Sequence, residues 1–247
     1  MTSSITAVEA EKEKVMFIVF VRHGHPNYKL DCLTELGHNQ AAAAAERLAD
    51  EGIEKLYASP LGRAQQTAGH IAERLGLEIE TLPFMREIGW GAEDGSEMAF
   101  GGHPWYVAWD MAARGQSLTS PTFADEPPFA GNRVVPMAKD KAKDFDALLR
   151  DLGYTREGDF YRVGTPKYKK IAVVSHAGSS TAVIAHMLNW PLPLAYGTTE
   201  PECTAITTLL LSDEEGKLCA PKIRVMNDAR HIFAVEGSRE NCPGYEM

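Results

Sequence analysis

What this chain has little of narrows it first. No run of apolar residues comes near the roughly 20 that cross a bilayer, so no membrane span is expected. Cysteine is scarce, and Cys32, Cys203, Cys219 and Cys242 show no CxxC spacing, which suits reduced thiols in a cytoplasmic protein better than a disulfide framework. Positive charge is short: 25 lysines and arginines face 34 aspartates and glutamates, and a net charge of -9 leaves no basic surplus to neutralise the phosphates of a nucleic acid. That total still allows one small anion in a locally positive pocket. His38, His70, His103 and His186 lack HExxH or paired ligand spacing, so no metal site is expected. Residues 1–14 are polar and acidic without an apolar stretch, and read as a loose tail before a single domain over 15–247.

What remains is ordinary globular material, 44% apolar, enough to fill a substantial core. Residues 17–21 form a short apolar run rich in β-branched side chains and ended by Gly24 and Pro26, the pattern of a buried strand with Arg22 and His23 at its carboxyl end. Residues 25–33 read as loop. Thr34 suits the N-cap of an alanine-rich helix to about Glu51, stopped by Gly52. A strand at 53–58 meets Ser59-Pro60, which predicts a helix with the serine hydroxyl as cap, proline at its first position and Arg63 in its first turn. A third strand at 77–82 leads into a glycine-rich loop at 85–91.

From 92 to about 169 the strand–helix rhythm breaks among prolines, glycines and aromatics, with helices expected at about 103–113 and 136–152. This stretch reads as an insertion capping the sheet edge. A second clear strand at 170–175 turns at His176 into a helix ending near Asn189, and strands at 204–211 and 223–226 are joined by a polar turn at 213–217. Beyond Val235 irregular structure is expected. The class is α/β with a mainly parallel sheet.

Three strand–helix junctions therefore carry Arg22/His23, Ser59/Arg63 and Ser175/His176. In a mainly parallel sheet every strand enters its helix from the same side, so the three fall on one edge. Two guanidiniums, two imidazoles and two helix N-termini converging there suit a phosphate better than a metal.

Arg22-His23-Gly24, Ser59-Pro60-Leu61-Gly62-Arg63-Ala64, Glu87 in its loop and Ser175-His176-Ala177-Gly178 resemble the histidine phosphatase superfamily, the phosphoglycerate-mutase-like proteins. The resemblance runs from residue 17 to about 191, and residues 227–231 resemble a closing motif of the group. It implies a three-layer α/β/α fold and a phosphomonoester hydrolase that needs no metal or cofactor. His23 would attack phosphorus and become phosphohistidine, which a neutral imidazole can do. Arg22, Arg63 and His176 would hold the phosphoryl oxygens, with His176 protonated, and Glu87 would serve as general acid and base. Glu93, Asp94 and Glu97 lie just downstream, but Arg-Glu before a glycine-tryptophan turn selects Glu87.

This chain departs from the pattern after Arg-His-Gly. Many relatives carry Glu-Thr and then an asparagine where it has His25, Pro26 and Lys29. His25, Asn27, Trp105 and His231 are candidate pocket-lining residues. Trp105, Tyr106 and Trp109 have the near-helical spacing of core side chains, with the leaving-group pocket as the alternative, and Asp228 and His231 are expected to pair. The expected partner is a small phosphorylated metabolite. Two other readings stay open, a phosphoglycerate mutase and a phospho-ligand-binding module without turnover.

Overall fold

The computed structural model describes residues 15–238; the segment expected to be a loose tail, and Cys242, lie outside the described residues. In chain order, β1 (Val15–Arg22) runs into a hairpin of β2 (Pro26–Asn27) and β3 (Cys32–Leu33), then α1 (Glu35–Leu48), β4 (Lys55–Ala58), α2 (Gly62–Leu75) and β5 (Ile79–Thr81). The cap region holds α3 (Pro104–Ala113). Next come α4 (Val134–Asp151), a hairpin of β6 (Tyr154–Glu157) and β7 (Phe160–Val163), and β8 (Lys170–Ser175). The chain continues through α5 (Ala177–Leu188), α6 (Leu192–Thr198), β9 (Ile206–Ser212), β10 (Leu218–Cys219) and β11 (Lys222–Asp228). Among the described residues no helix is long and apolar enough to cross a membrane.

The central sheet has the order β11-β9-β1-β8-β4-β5. β1, β8, β4 and β5 are parallel, while β9 runs against both its neighbours. Alternation along the strands feeds two separate layers. Val19, Val21, Ala58, Ala172 and Val174 pack with Ala45 and Leu48 of α1 and Ala64, Ala68 and Ile71 of α2. Ile18, Phe20, Tyr57, Ile171 and Val173 pack with Phe145 and Leu149 of α4 and Val183 and Met187 of α5. Both faces of β1 and β8 are covered, which is why their sequences are apolar throughout. A three-layer α/β/α fold results. A further cluster joins Trp105, Ala108 and Met111 of α3 to Phe129, Val135 of α4 and Tyr196 of α6.

Several local expectations change. Thr34 does cap α1, its hydroxyl accepting from Gly37 N–H at 3.1 Å, and Asn189 ends α5 with a left-handed φ of 57°. Ser59 does not cap α2, which starts at Gly62 with Leu61 before it. The serine hydroxyl is taken by His176 instead. The 25–33 segment folds back as the β2–β3 hairpin. Within 92–169, α4 lies in the main core, and β7 pairs with β6 on one side and β10 on the other as a second small sheet.

Candidate active site

Register brings the junctions level. Arg22 pairs with Ser175 across β1 and β8, and Ala58 with Val174 across β4 and β8. Past the ladder, His23 N–H donates to the Ser175 carbonyl and Ser59 N–H to the Val174 carbonyl, each at 2.9 Å. Two glycines make the approach possible. A Cβ on Gly24 would lie 2.5 Å from the Gly37 carbonyl oxygen, so only glycine lets α1 close on the strand end. A Cβ on Gly178 would lie 2.8 Å from Glu87 Oε1, so the N-terminus of α5 admits that carboxylate only because no side chain stands there.

His23 is 1% exposed. Its Nδ1 lies 2.7 Å from the Gly24 carbonyl, which can only accept, so Nδ1 carries the proton and Nε2 keeps its lone pair. That Nε2 faces Arg63, whose Nε–H donates to it at 3.2 Å. Burial, and then the Arg22 guanidinium, push the His23 imidazole down to about 3, so the ring is neutral at physiological pH. The His176 ring stands edge-on at a centroid distance of 5.1 Å.

His176 Nε2 lies 2.7 Å from Ser59 Oγ. That hydroxyl also accepts from Leu61 N–H at 3.3 Å and has its own proton to give to Nε2. With Ser59 as donor the proton of the neutral ring sits on Nδ1, a buried atom without a hydrogen-bond partner among the described residues. Burial first, then His23, Arg63 and Lys141, hold its pKa far below the usual value, so the protonated His176 expected from sequence calls for an anion beside the ring.

Arg22 Nη1 donates to the Pro201 carbonyl at 2.5 Å, while its buried Nε has no partner among the described residues. Arg63 Nη1 donates to Asp31 Oδ1 at 2.5 Å, and Asp31 Oδ2 accepts from Gly62 N–H at 2.8 Å. Glu87 Oε1 accepts from Ile88 N–H and Ser179 N–H, each at 2.9 Å, while the Ser179 hydroxyl, 3.3 Å from Oε1, donates to the Arg86 carbonyl at 2.5 Å. Behind that loop the buried Lys141 donates to the Phe84 and Arg86 carbonyls, each at 2.6 Å. Burial lowers this ammonium to about 8.

Arg22, His23, Arg63, Glu87 and His176 thus stand at one sheet edge. The four lining candidates are placed differently. His25 Nδ1 bonds the Thr34 hydroxyl at 2.9 Å, tying it to the cap of α1. Asn27 Oδ1 accepts from Leu30 N–H inside the hairpin turn. Trp105 is buried, its indole N–H donating to the Thr199 carbonyl. His231 Nε2 lies 3.0 Å from the Thr204 hydroxyl, and Thr204 N–H donates in turn to the His23 carbonyl. Asp228 bonds Arg230, and the expected Asp228–His231 pair is replaced by these two contacts. Asp31, Lys141 and Ser179 were not singled out from sequence. Only Lys141 leaves a trace there, as a charge on the apolar face of an amphipathic helix.

A family profile described as the histidine phosphatase superfamily (branch 1) matches residues 18–140. The chain belongs to the histidine phosphatase superfamily. Over 59 residues it is 46% identical to a protein of Yersinia pestis (strain Pestoides F) named "Probable phosphoglycerate mutase GpmB", a match that spans 24% of this chain and 27% of that one. The structure of mycobacterial glucosyl-3-phosphoglycerate phosphatase superposes with a TM-score of 0.58 and 25% identity, covering 86% of this chain and 99% of that one. A phosphoserine phosphatase of Entamoeba histolytica bound to 3-phosphoglyceric acid shares the fold, with a TM-score of 0.57 at 21% identity over 88% of this chain and 99% of its own.

Proposed function

We propose that this superfamily member hydrolyses phosphomonoesters of small metabolites through a phosphohistidine at His23. The observation that carries the reading is the state of that ring, with Nδ1 fixed on the Gly24 carbonyl and a neutral Nε2 facing Arg63. A phosphoryl group would meet Arg22 Nε, the Arg63 guanidinium and His176 Nδ1, donors aimed where charge develops. Nε2 attacks phosphorus as the ester P–O bond breaks, and Glu87, protonated at Oε2, gives its proton to the departing alkoxide. Water then attacks the phosphohistidine, Glu87 takes a proton back, the P–N bond breaks and inorganic phosphate leaves.

The test is His23→Asn against phosphate release and against trapping of a phosphoryl adduct on His23 by mass spectrometry. His23 is buried, so circular dichroism must accompany the assay. Turnover should fall by roughly 10⁴-fold with the fold kept and the adduct lost; a folded variant with near-normal turnover defeats covalent catalysis. Two arginines supply the fixed positive charge, so EDTA should leave the rate within about twofold. Strong inhibition reversed by a divalent ion would overturn that.

A second reading, a mutase, is favoured by the short match to the GpmB protein. A coupled assay of 3-phosphoglycerate interconversion, run beside phosphate release, separates the two.

A further inference from the structure

Three residues along the chain from Glu87 begins a group of partly exposed aromatic rings. Trp90 is 37% exposed, Phe100 54%, Tyr106 50% and Trp109 37%. The Trp90 and His103 rings meet at a centroid distance of 4.7 Å, His103 stacks on Tyr106 at 4.4 Å and 26°, and Tyr106 reaches Trp109 at 5.6 Å. Left-handed backbone at three successive residues, Phe100, Gly101 and Gly102, delivers His103 beneath Trp90. For an aromatic residue such as Phe100 that conformation is costly, and such strain concentrates at functional sites.

Two tethers hold this cluster against the pocket. Trp90 follows Glu87 by three residues, and both its flanks are pinned: Glu87 on Ser179 N–H, and the Gly91 carbonyl on Arg133 N–H at 2.9 Å. On the other side the Trp105 indole holds the Thr199 carbonyl, and two residues on Pro201 accepts from Arg22. The rings are thereby set on the loop that carries Glu87 and beside the segment that holds Arg22. Next to Phe100, a cavity of 530 Å³ is lined by Glu93, Asp94 and Glu97, an acidic surface that disfavours a second negative charge near these rings.

From this juxtaposition we infer that Trp90, His103 and Tyr106 form a leaving-group subsite for phosphomonoesters whose alcohol carries an uncharged planar ring, as in arylalkyl phosphates or nucleoside monophosphates. The inference rests on the phosphatase reading above for its substrates but not for its binding surface. His103 suits the role as a neutral ring, because burial lowers its pKa.

The experiment compares 2-phenylethyl phosphate with 2-cyclohexylethyl phosphate, whose leaving oxygens have like basicity and whose size is similar. Stacking should favour the phenyl ester in kcat/KM by about tenfold. Trp90→Ala and Tyr106→Ala should each lower the phenyl ester's kcat/KM by about fivefold more than the cyclohexyl ester's. Equal rates on the two esters in the wild-type protein overturn the subsite while leaving the phosphatase intact. Should neither ester be hydrolysed while another phosphomonoester is, the subsite fails; should no phosphomonoester be hydrolysed, the phosphatase reading fails. The subsite is then decided by the dissociation constants of benzylphosphonate and cyclohexylmethylphosphonate, read by calorimetry. A preference of about tenfold for the benzyl compound supports it, and equal binding sinks it.

Discussion

Arg63 divides its guanidinium between two partners, Nε toward His23 and Nη1 toward Asp31. Asp31 therefore grips the group by its far edge and turns the Nε and Nη2 edge toward the place a phosphoryl group would take on His23. Its second oxygen sits on Gly62 N–H, so the carboxylate is itself anchored at the start of α2. Tyr28, from the same hairpin, lies 5.3 Å from the guanidinium carbon and closes the third side. Removing Asp31 frees Arg63 to swing, and misaligned phosphoryl contacts cost rate far more than stability. Asp31→Ala should lower kcat/KM by about tenfold on any phosphomonoester with little change in melting temperature, and Asp31→Glu should restore part of it. A variant with wild-type kinetics shows that Arg63 needs no such hold.

At the scale of elements, the strands that carry the site were readable because they are buried on both faces. The run 17–21 and the run 170–175 could be nothing else of that length once Gly24 and Gly178 followed them. The caps Thr34 and Asn189 were readable because each acts within a few residues. Ser59 was misread for the opposite reason: its hydroxyl serves His176, 117 residues away in sequence, a partner no local signal names. The β6–β7 hairpin hid in a polar stretch whose only inward side chains are Tyr154, Tyr161 and Val163. Lys141 belongs between these cases. The pattern Val134, Ala138, Lys141, Phe145 places it on the buried face of α4, while only the fold shows that it pins the two carbonyls before Glu87. Lys141→Met keeps the volume but orphans the Phe84 carbonyl, at about 1–3 kcal/mol where it stays dry, while the Arg86 carbonyl keeps the Ser179 hydroxyl. Turnover should fall by about tenfold as the Glu87 loop loosens, with a lower melting temperature; unchanged turnover in the folded variant would show that the Ser179 contacts alone hold Glu87.

The whole molecule inherits a pH dependence from its buried imidazoles. Five of the eight histidines are shifted, and all five in one direction: His23, His70, His103, His176 and His231 lie below their ordinary value, with burial the leading cause each time. His23 falls to about 3 and His231 to about 4. An unfolded histidine titrates near 6.5, so between about 6.5 and 3 the unfolded chain binds protons that the folded chain refuses. Stability is then fully present above about pH 6.5 and declines as the pH falls through that window. Carboxylates do little between pH 6.5 and 5, because their shifted members here move down and out of range. Urea midpoints taken at pH 7.5, 6.0 and 5.0 should therefore drop steadily, and His231→Gln should flatten part of the drop. Inorganic phosphate should offset the fall, since an anion among Arg22, Arg63 and His176 binds only the folded chain and favours a protonated ring. A midpoint constant from pH 7.5 to 5.0 would mean that these rings are hydrated and charged in the folded protein. His23 would then be a cation below neutral pH, and no nucleophile.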